Sequence, residues 1–309
     1  MNGIVIKSTG KKYTVRTASN DIIQCSLKGN FRIKEIKSTN PIVVGDKVRL
    51  EKLHDDFMIV ELYKRKNTII RKSVNLSKRT HIIASNIDQA FLMITLENPV
   101  TKTGFIDRFL VSANAYGVDV ILLFNKMDLL NKEQKLEQEN LQKVYEHIGY
   151  NCFALSVIKD DLSMIKNIMK DKINMISGYS GSGKSTLINK IQPNLNIKTR
   201  DISIIHKQGQ HTTTFSELYE LDFGASIIDT PGIKGFGLVD IELKDICNYF
   251  PEFLLLKSSC KYYNCIHKNE PDCAIKSAVI SGDISKIRYE NYISMLDESD
   301  TSFRKNEYL

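Results

Sequence analysis

The chain has 309 residues, 42% hydrophobic and 26% charged, a make-up that fits a soluble globular protein of two or three domains rather than a fibrous or disordered one. No stretch approaches the roughly eighteen apolar residues of a membrane span, and the first residues lack a signal-peptide pattern, so a cytoplasmic protein with no membrane partner is expected. The net charge of +7 is placed unevenly: residues 1–67 hold 14 Lys+Arg against 7 Asp+Glu, and the rest of the chain balances. Such an end either meets a polyanion, where phosphate neutralisation releases counterions, or is simply well solvated.

In chain order, short β-rich runs at 3–7, 12–17, 22–27, 47–51 and 58–63 are separated by turn-forming Gly, Asn, Asp and Pro. Five short strands predict a small all-β barrel; an OB-like barrel, which binds oligonucleotides on one face, fits, and an SH3-like barrel reads alike. The basic residues Lys64, Arg65, Lys66, Arg71, Lys72, Lys78 and Arg79 read as a linker. From about residue 87 the pattern changes. The near-continuous apolar runs 89–95 and 118–124 have the character of buried parallel strands. Helical spacing occupies 105–116, with Gly117 as C-cap, and 132–148, closed by Gly149. Strand and helix alternate through 152–156, 173–176, the helix from Lys184, and 226–229, which predicts a central α/β domain with a parallel sheet. Past Gly237 the chain turns mainly helical, at 241–249 and 271–296.

Gly178-Tyr179-Ser180-Gly181-Ser182-Gly183-Lys184-Ser185 matches GxxxxGK[ST] between a strand and a helix that continues through Thr186. Backbone N–H groups freed by the glycines converge on phosphates, the helix N-terminus adds positive charge, Lys184 reaches the outer phosphates and Ser185 ligates Mg²⁺. Asn125-Lys126-Met127-Asp128 closes the strand at 118–124, and its carboxylate selects guanine over adenine. Guanine offers N1–H and a 2-amino group to Asp128, whereas adenine would present a lone pair to it. Asn125 shapes the pocket, the Lys126 stem lies on the ring, and Ser156 at the end of the next strand supplies a further contact. Asp229-Thr-Pro-Gly232 gives an Asp for the Mg²⁺ shell and a Gly amide for the γ-phosphate. Thr212, Thr213 and Thr214 lie where a switch threonine caps Mg²⁺; spacing does not choose among them. Ile233 and Lys234 stand where Ras-like hydrolases carry a water-orienting glutamine, which leaves His211 as the candidate catalytic group, its alternative being a switch-loop histidine that contacts RNA or solvent.

Ordinary GTPases run phosphate loop, threonine, DxxG, NKxD and serine. Here NKxD and serine come first, so the motifs are circularly permuted around an unchanged sheet. A further cluster, Cys260-(x4)-Cys265-x-His267-(x5)-Cys273, offers the Cys₃His set of a closed structural Zn²⁺ site, in a reducing compartment where the other thiols, Cys25, Cys152 and Cys247, stay free. Lys257, Lys261, Lys268, Lys276, Lys286 and Arg288 around it are placed to touch RNA phosphates or to remain solvated.

The string Gly209-Gln-His-Thr-Thr-Thr214, the Cys cluster ending Asn269-Glu-Pro-Asp-Cys273-Ala and the permuted motifs together resemble the bacterial ribosome small-subunit-dependent GTPase A family, over nearly the whole chain. That resemblance implies GTP hydrolysis stimulated by the small ribosomal subunit in its late maturation, binding to its rRNA, GTP/GDP, Mg²⁺ and one Zn²⁺ as ligands, and a catalytic role for His211. The expected organisation is multidomain: an OB-like RNA-binding barrel at 1–67, a circularly permuted P-loop GTPase domain at 68–237 and a helical zinc-binding domain at 238–309, in a monomer. A different permuted ribosome-assembly GTPase, or an RNA-binding module with GTP as a structural ligand, are the competing readings.

Overall fold

The computed structural model describes residues 1–9, 12–27, 41–71, 81–193, 195, 216–229 and 241–300. Strands β1 (Asn2–Ser8), β2 (Tyr13–Thr17), β3 (Ile22–Leu27), β4 (Lys47–Leu53) and β5 (Asp56–Leu62) form the N-terminal barrel. Alternate residues point inward, so Val5, Tyr13, Val15, Cys25, Val48, Leu50 and Ile59 make its core. The pairing order β1-β2-β3-β5-β4, with β4 returning to β1 and β3 parallel to β5, closes it as an OB-like barrel. An SH3-like meander would have kept β3 beside β4.

The described part of the basic stretch expected to be a linker is structured instead, while Lys72, Lys78 and Arg79 lie outside the described residues. Strands β6 (Thr68–Arg71) and β7 (His81–Ser85) pair as a hairpin, and the Arg65 guanidinium grips the fully buried Asp46 carboxylate at 2.7 Å on both oxygens. Asp46 also accepts from the Ser85 hydroxyl at 2.6 Å and the Val43 amide at 2.8 Å, so one carboxylate fastens barrel, hairpin and basic run together. Gly45, at φ +91°, lets the backbones approach: a Cβ there would stand 2.1 Å from the Ser85 carbonyl oxygen.

The central sheet runs in the order β10 (Asn151–Ala154), β9 (Asp119–Phe124), β8 (Gln89–Ile94), β11 (Ile173–Gly178), β13 (Ser226–Asp229), all parallel, then the antiparallel β12 (Glu217–Glu220), whose far side pairs with β1 of the barrel. Every residue of β8 is buried because both faces are covered. Ala90, Leu92 and Ile94 pack with α1 (Thr103–Ala115) and with Tyr145 of α2 (Lys132–Ile148). Phe91 and Met93 pack with α3 (Ser163–Met169) and α4 (Lys184–Ile191). The predicted ends of α2 are matched by local chemistry: Asn131 and Gln134 form a reciprocal capping box, and Gly149 closes it at φ +105°.

The C-terminal region is helical, but not as one stretch from 271 to 296. Pro271 and Asp272 belong to the Cys/His loop, and Gly282 at φ +89° separates α6 (Ala274–Ser281) from α7 (Lys286–Asp300). A 3-10 turn (Leu243–Tyr249) and α5 (Pro251–Leu256), the latter started by Pro at its first position, precede the loop. Their core takes Val111 from α1, so this region docks on the GTPase sheet's own helix. Arg288, expected either to touch RNA or to remain solvated, is instead 1% exposed: it binds Asp107 of α1 at 2.6 Å and Glu252 at 2.8 Å. Burial pushes the Asp107 carboxyl up, and Arg288, Asn291 and Tyr145 oppose that by hydrogen bonding to its ionised form. Lys257, Lys261, Lys268 and Lys286 are also engaged, with Asn248, Asp272, Asp297 and Glu290. No helix among the described residues is long and apolar enough to cross a membrane.

Candidate functional site

Parallel strands point their carboxyl ends at one edge, and that edge gathers the motifs whatever their order in the chain. From β11 the backbone enters the loop 178–183 and leaves through α4, which begins at Lys184. Two of its glycines are obligatory. At Gly178 (φ +141°) a Cβ would lie 2.6 Å from the Met93 carbonyl oxygen, and at Gly183 (φ +104°) it would lie 2.3 Å from Asn125 Nδ2. Lys184 Nζ donates to the carbonyls of Gly178 and Tyr179, both at 2.7 Å, and burial pushes its pKa down to about 8. An incoming phosphate offers that ammonium a far better partner than two carbonyls. Ser182 is buried and its Oγ has no hydrogen-bond partner among the described residues. The Tyr179 ring packs at 4.3 Å on Phe105 of α1, while Ser180 and Gly181 form the exposed tip; Ser185 and Thr186 stand in the first turn of α4.

Asn125 ties two motifs directly. Its Nδ2 donates to the Ser182 carbonyl at 2.9 Å and its Oδ1 accepts from the Val157 amide at 3.0 Å, locking the end of β9 to the phosphate loop and to the serine segment. Lys126 takes the left-handed conformation, φ +67°, and its Nζ donates to the Asn98 carbonyl. A hydrogen bond from the Ser156 hydroxyl, with Lys159 Nζ 3.6 Å away, holds the Asp128 carboxyl below its ordinary value. The site therefore keeps an ionised acceptor near the end of β9, as a guanine edge needs.

Three neighbours escaped the sequence reading. Lys159 faces Asp128; Asp160 accepts the Ser156 amide at 2.7 Å; and the loop at 96–102 lies over the phosphate loop, with Pro99 Cδ 3.5 Å from where a Cβ of Gly181 would be. Lys159 and Asp160 stand three and four residues after Ser156, which was the available signal; the loop at 96–102 carried none. Asp229 ends β13 in parallel register beside β11, where Ile228 pairs with Met175. Its side chain, with Gly232, Thr212, Thr213, Thr214 and His211, lies outside the described residues.

The second constellation is the Cys/His cluster, where the ligand atoms of Cys260, Cys265, His267 and Cys273 all lie within 4.8 Å of one another. Cys260 and Cys273 sulfurs are 4.0 Å apart, and His267 Nδ1 is 3.6 Å and 3.4 Å from them. A tetrahedral ion with bonds of about 2.3 Å to sulfur and 2.0 Å to nitrogen requires edges of roughly 3.8 and 3.5 Å, so the cluster can hold a metal ion. Burial lowers the His267 pKa, keeping the imidazole neutral and ligand-ready, and pushes the Cys265 thiol up to about 12, a cost that a bound cation reverses. The loop is braced by Glu270, whose carboxylate accepts from the amides of Ile266, Lys268 and Asn269, and by hydroxyls of Tyr289 and Tyr292 on the carbonyls of His267 and Ile266.

A family model described as RsgA GTPase matches residues 62–239, and one described as RsgA N-terminal domain matches residues 2–57. The chain belongs to the RsgA GTPase family. It is accordingly a GTPase of a ribosome-assembly family. Among RsgA relatives, a Flavobacterium psychrophilum protein named small ribosomal subunit biogenesis GTPase RsgA is 52% identical over 313 residues, covering 100% of this chain and 96% of its own length. The protein of that name from Christiangramia forsetii is 50% identical, covering 100% of this chain and 99% of its own length. Of solved structures, YjeQ from Thermotoga maritima aligns with a TM-score of 0.78 at 31% identity, over 96% of this chain and 97% of that one. YloQ, titled a circularly permuted GTPase, aligns at 0.77 and 30% identity over 98% and 96%. The permuted order read from the motifs thus agrees with a fold neighbour that is itself a circularly permuted GTPase.

Proposed function

We propose that this RsgA-family chain hydrolyses GTP to GDP and phosphate on the small ribosomal subunit, is stimulated by that subunit and its rRNA, and acts late in its maturation, as a cytoplasmic monomer. The observation that carries the reading is the Asn125 side chain bonded at once to the phosphate loop and the serine segment, which supports one pocket for phosphates and guanine. Residues 1–67 would form the RNA-binding barrel, 68–237 the GTPase domain and 238–309 the zinc-binding domain. In the pocket, Asp128 and Ser156 read the guanine edge, Asn125 and Lys126 shape and cover it, and residues 178–186 cradle the phosphates with Lys184 as the cation. Ser185 and Asp229 would hold Mg²⁺, which neutralises phosphate charge; Thr213, Thr214 and the Gly232 amide would sense the γ-phosphate. His211 would orient the attacking water. Cys260, Cys265, His267 and Cys273 would hold one Zn²⁺ whose role is structural, since four protein ligands leave no open position.

Steady-state turnover with and without purified small and large subunits tests this: activation by small subunits alone is expected, and activation by large subunits or by neither would overturn it. In the same assay His211→Ala should lower stimulated turnover about a hundredfold or more while GDP affinity holds. Unchanged turnover would remove His211 from the mechanism.

A further inference from the structure

Strand β12 is the seam between the nucleotide sheet and the barrel. Glu217 is opposite Asp229 of β13 on one side and opposite Lys7 of β1 on the other, and Lys7 is in turn opposite Thr14 of β2. One transverse row thus leads from the strand end that carries Asp229 into the barrel in two strand spacings, about 10 Å. Side chains reinforce the seam: Lys7 Nζ donates to both Glu217 oxygens, at 3.3 and 3.4 Å, and Arg16 of β2 pairs with Glu220. In sequence, Glu217 follows Thr214 with only Phe215 and Ser216 between. Whatever pulls on β1 therefore reaches the Asp229 backbone through one short strand. The Lys7–Glu217 pair is 45% and 33% exposed, and ion pairs so exposed add little to stability. Its place in that row gives it a different use.

We propose that Lys7 and Glu217 are a positioning pair for subunit-stimulated hydrolysis: the barrel's hold on β12 sets the geometry of the strand edge bearing Asp229, so barrel engagement by RNA is felt at the γ-phosphate. This rests on the proposed reading of the barrel and the pocket. Neither residue touches nucleotide; both act through the seam.

The test uses the full chain with Lys7→Glu, with Glu217→Lys, and with both, at saturating small subunit so that the altered barrel charge does not limit binding. Each single reversal should lower stimulated kcat about fivefold, the lower end of ordinary coupling between sites. KM for GTP and basal turnover should stay within about twofold, and the double reversal should restore stimulation. Wild-type stimulation in both single variants would overturn the proposal. So would a loss that the double variant does not recover, since that marks a general disturbance. Amide hydrogen exchange of β1, with GDP and then with a non-hydrolysable GTP analogue, separates this idea from the functional reading. A nucleotide-dependent difference at β1 in the wild type that Glu217→Lys abolishes sustains the coupling even if subunits prove not to stimulate. Identical exchange in both nucleotide states sinks it even if they do.

Discussion

The Cys/His cluster and the proposed nucleotide site are built on opposite plans. All four cluster ligands come from one loop between Cys260 and Cys273, and their ligand atoms already converge within 4.8 Å, braced by Glu270, Tyr289 and Tyr292. The proposed nucleotide site would take Asn125, Ser156, the phosphate loop and Asp229 from the ends of four strands, which come to one edge only because the sheet stacks them in parallel. A loop site depends on the order and spacing of its residues. A site made of parallel strand ends depends on which strand lies beside which, so moving the chain's cut point leaves it whole.

The sharpest break between the two plans should come from removing the metal. Cys273→Ser, or a strong chelator, deletes a binding free energy on the order of 10 kcal/mol, enough to unfold the C-terminal region. Limited proteolysis should then digest the chain beyond about residue 240 while GDP titration stays near wild type. A parallel loss of nucleotide binding would show that the two sites are not separable.

Arg288→Ala attacks the joint instead, leaving Asp107 and Glu252 without their buried partner. A cost of about 3–5 kcal/mol is expected from the denaturation midpoint. A surface-like loss of a few tenths would mean the pair is solvated. Asp128→Asn should weaken GDP binding about a hundredfold without moving that midpoint, because its carboxylate answers two guanine donors and an amide NH₂ cannot. Smallest is a pH effect. Lys184 titrates near 8 when it faces only carbonyls, and bound phosphate raises that value, so binding above pH 8 takes up a proton. GDP affinity should be level below pH 8 and fall by up to about tenfold per unit above it, measured by titration in matched buffers. A flat profile to pH 9.5 would show that Lys184 stays charged in the free loop.

Much of the candidate site was legible because its chemistry is written in contiguous strings: the glycines that must adopt positive φ, Asn125 to Asp128, and the Cys/His loop. What stayed hidden has a physical reason in each case. Strand β12, at four residues, is too short to show a period, and its neighbours are one strand of its own domain and one of the barrel. The hairpin of β6 and β7 was masked by basic residues, because a lysine or arginine reads as solvated until its partner is known. Arg65 and Arg288 look like any other surface cation in the sequence, yet their partners Asp46 and Asp107 stand far along the chain and fully buried.

By itself, then, the sequence determined the chemistry available here: which loops can turn, which side chains can read guanine or hold a metal, and that the motifs are permuted. Only the tertiary structure decided which of these groups meet, because contact across a sheet depends on strand order and register, and a buried charge is fixed by a partner that no local pattern names. The barrel's seam on β12 and the ion cluster under α1 are both of that kind, products of packing between elements remote in sequence.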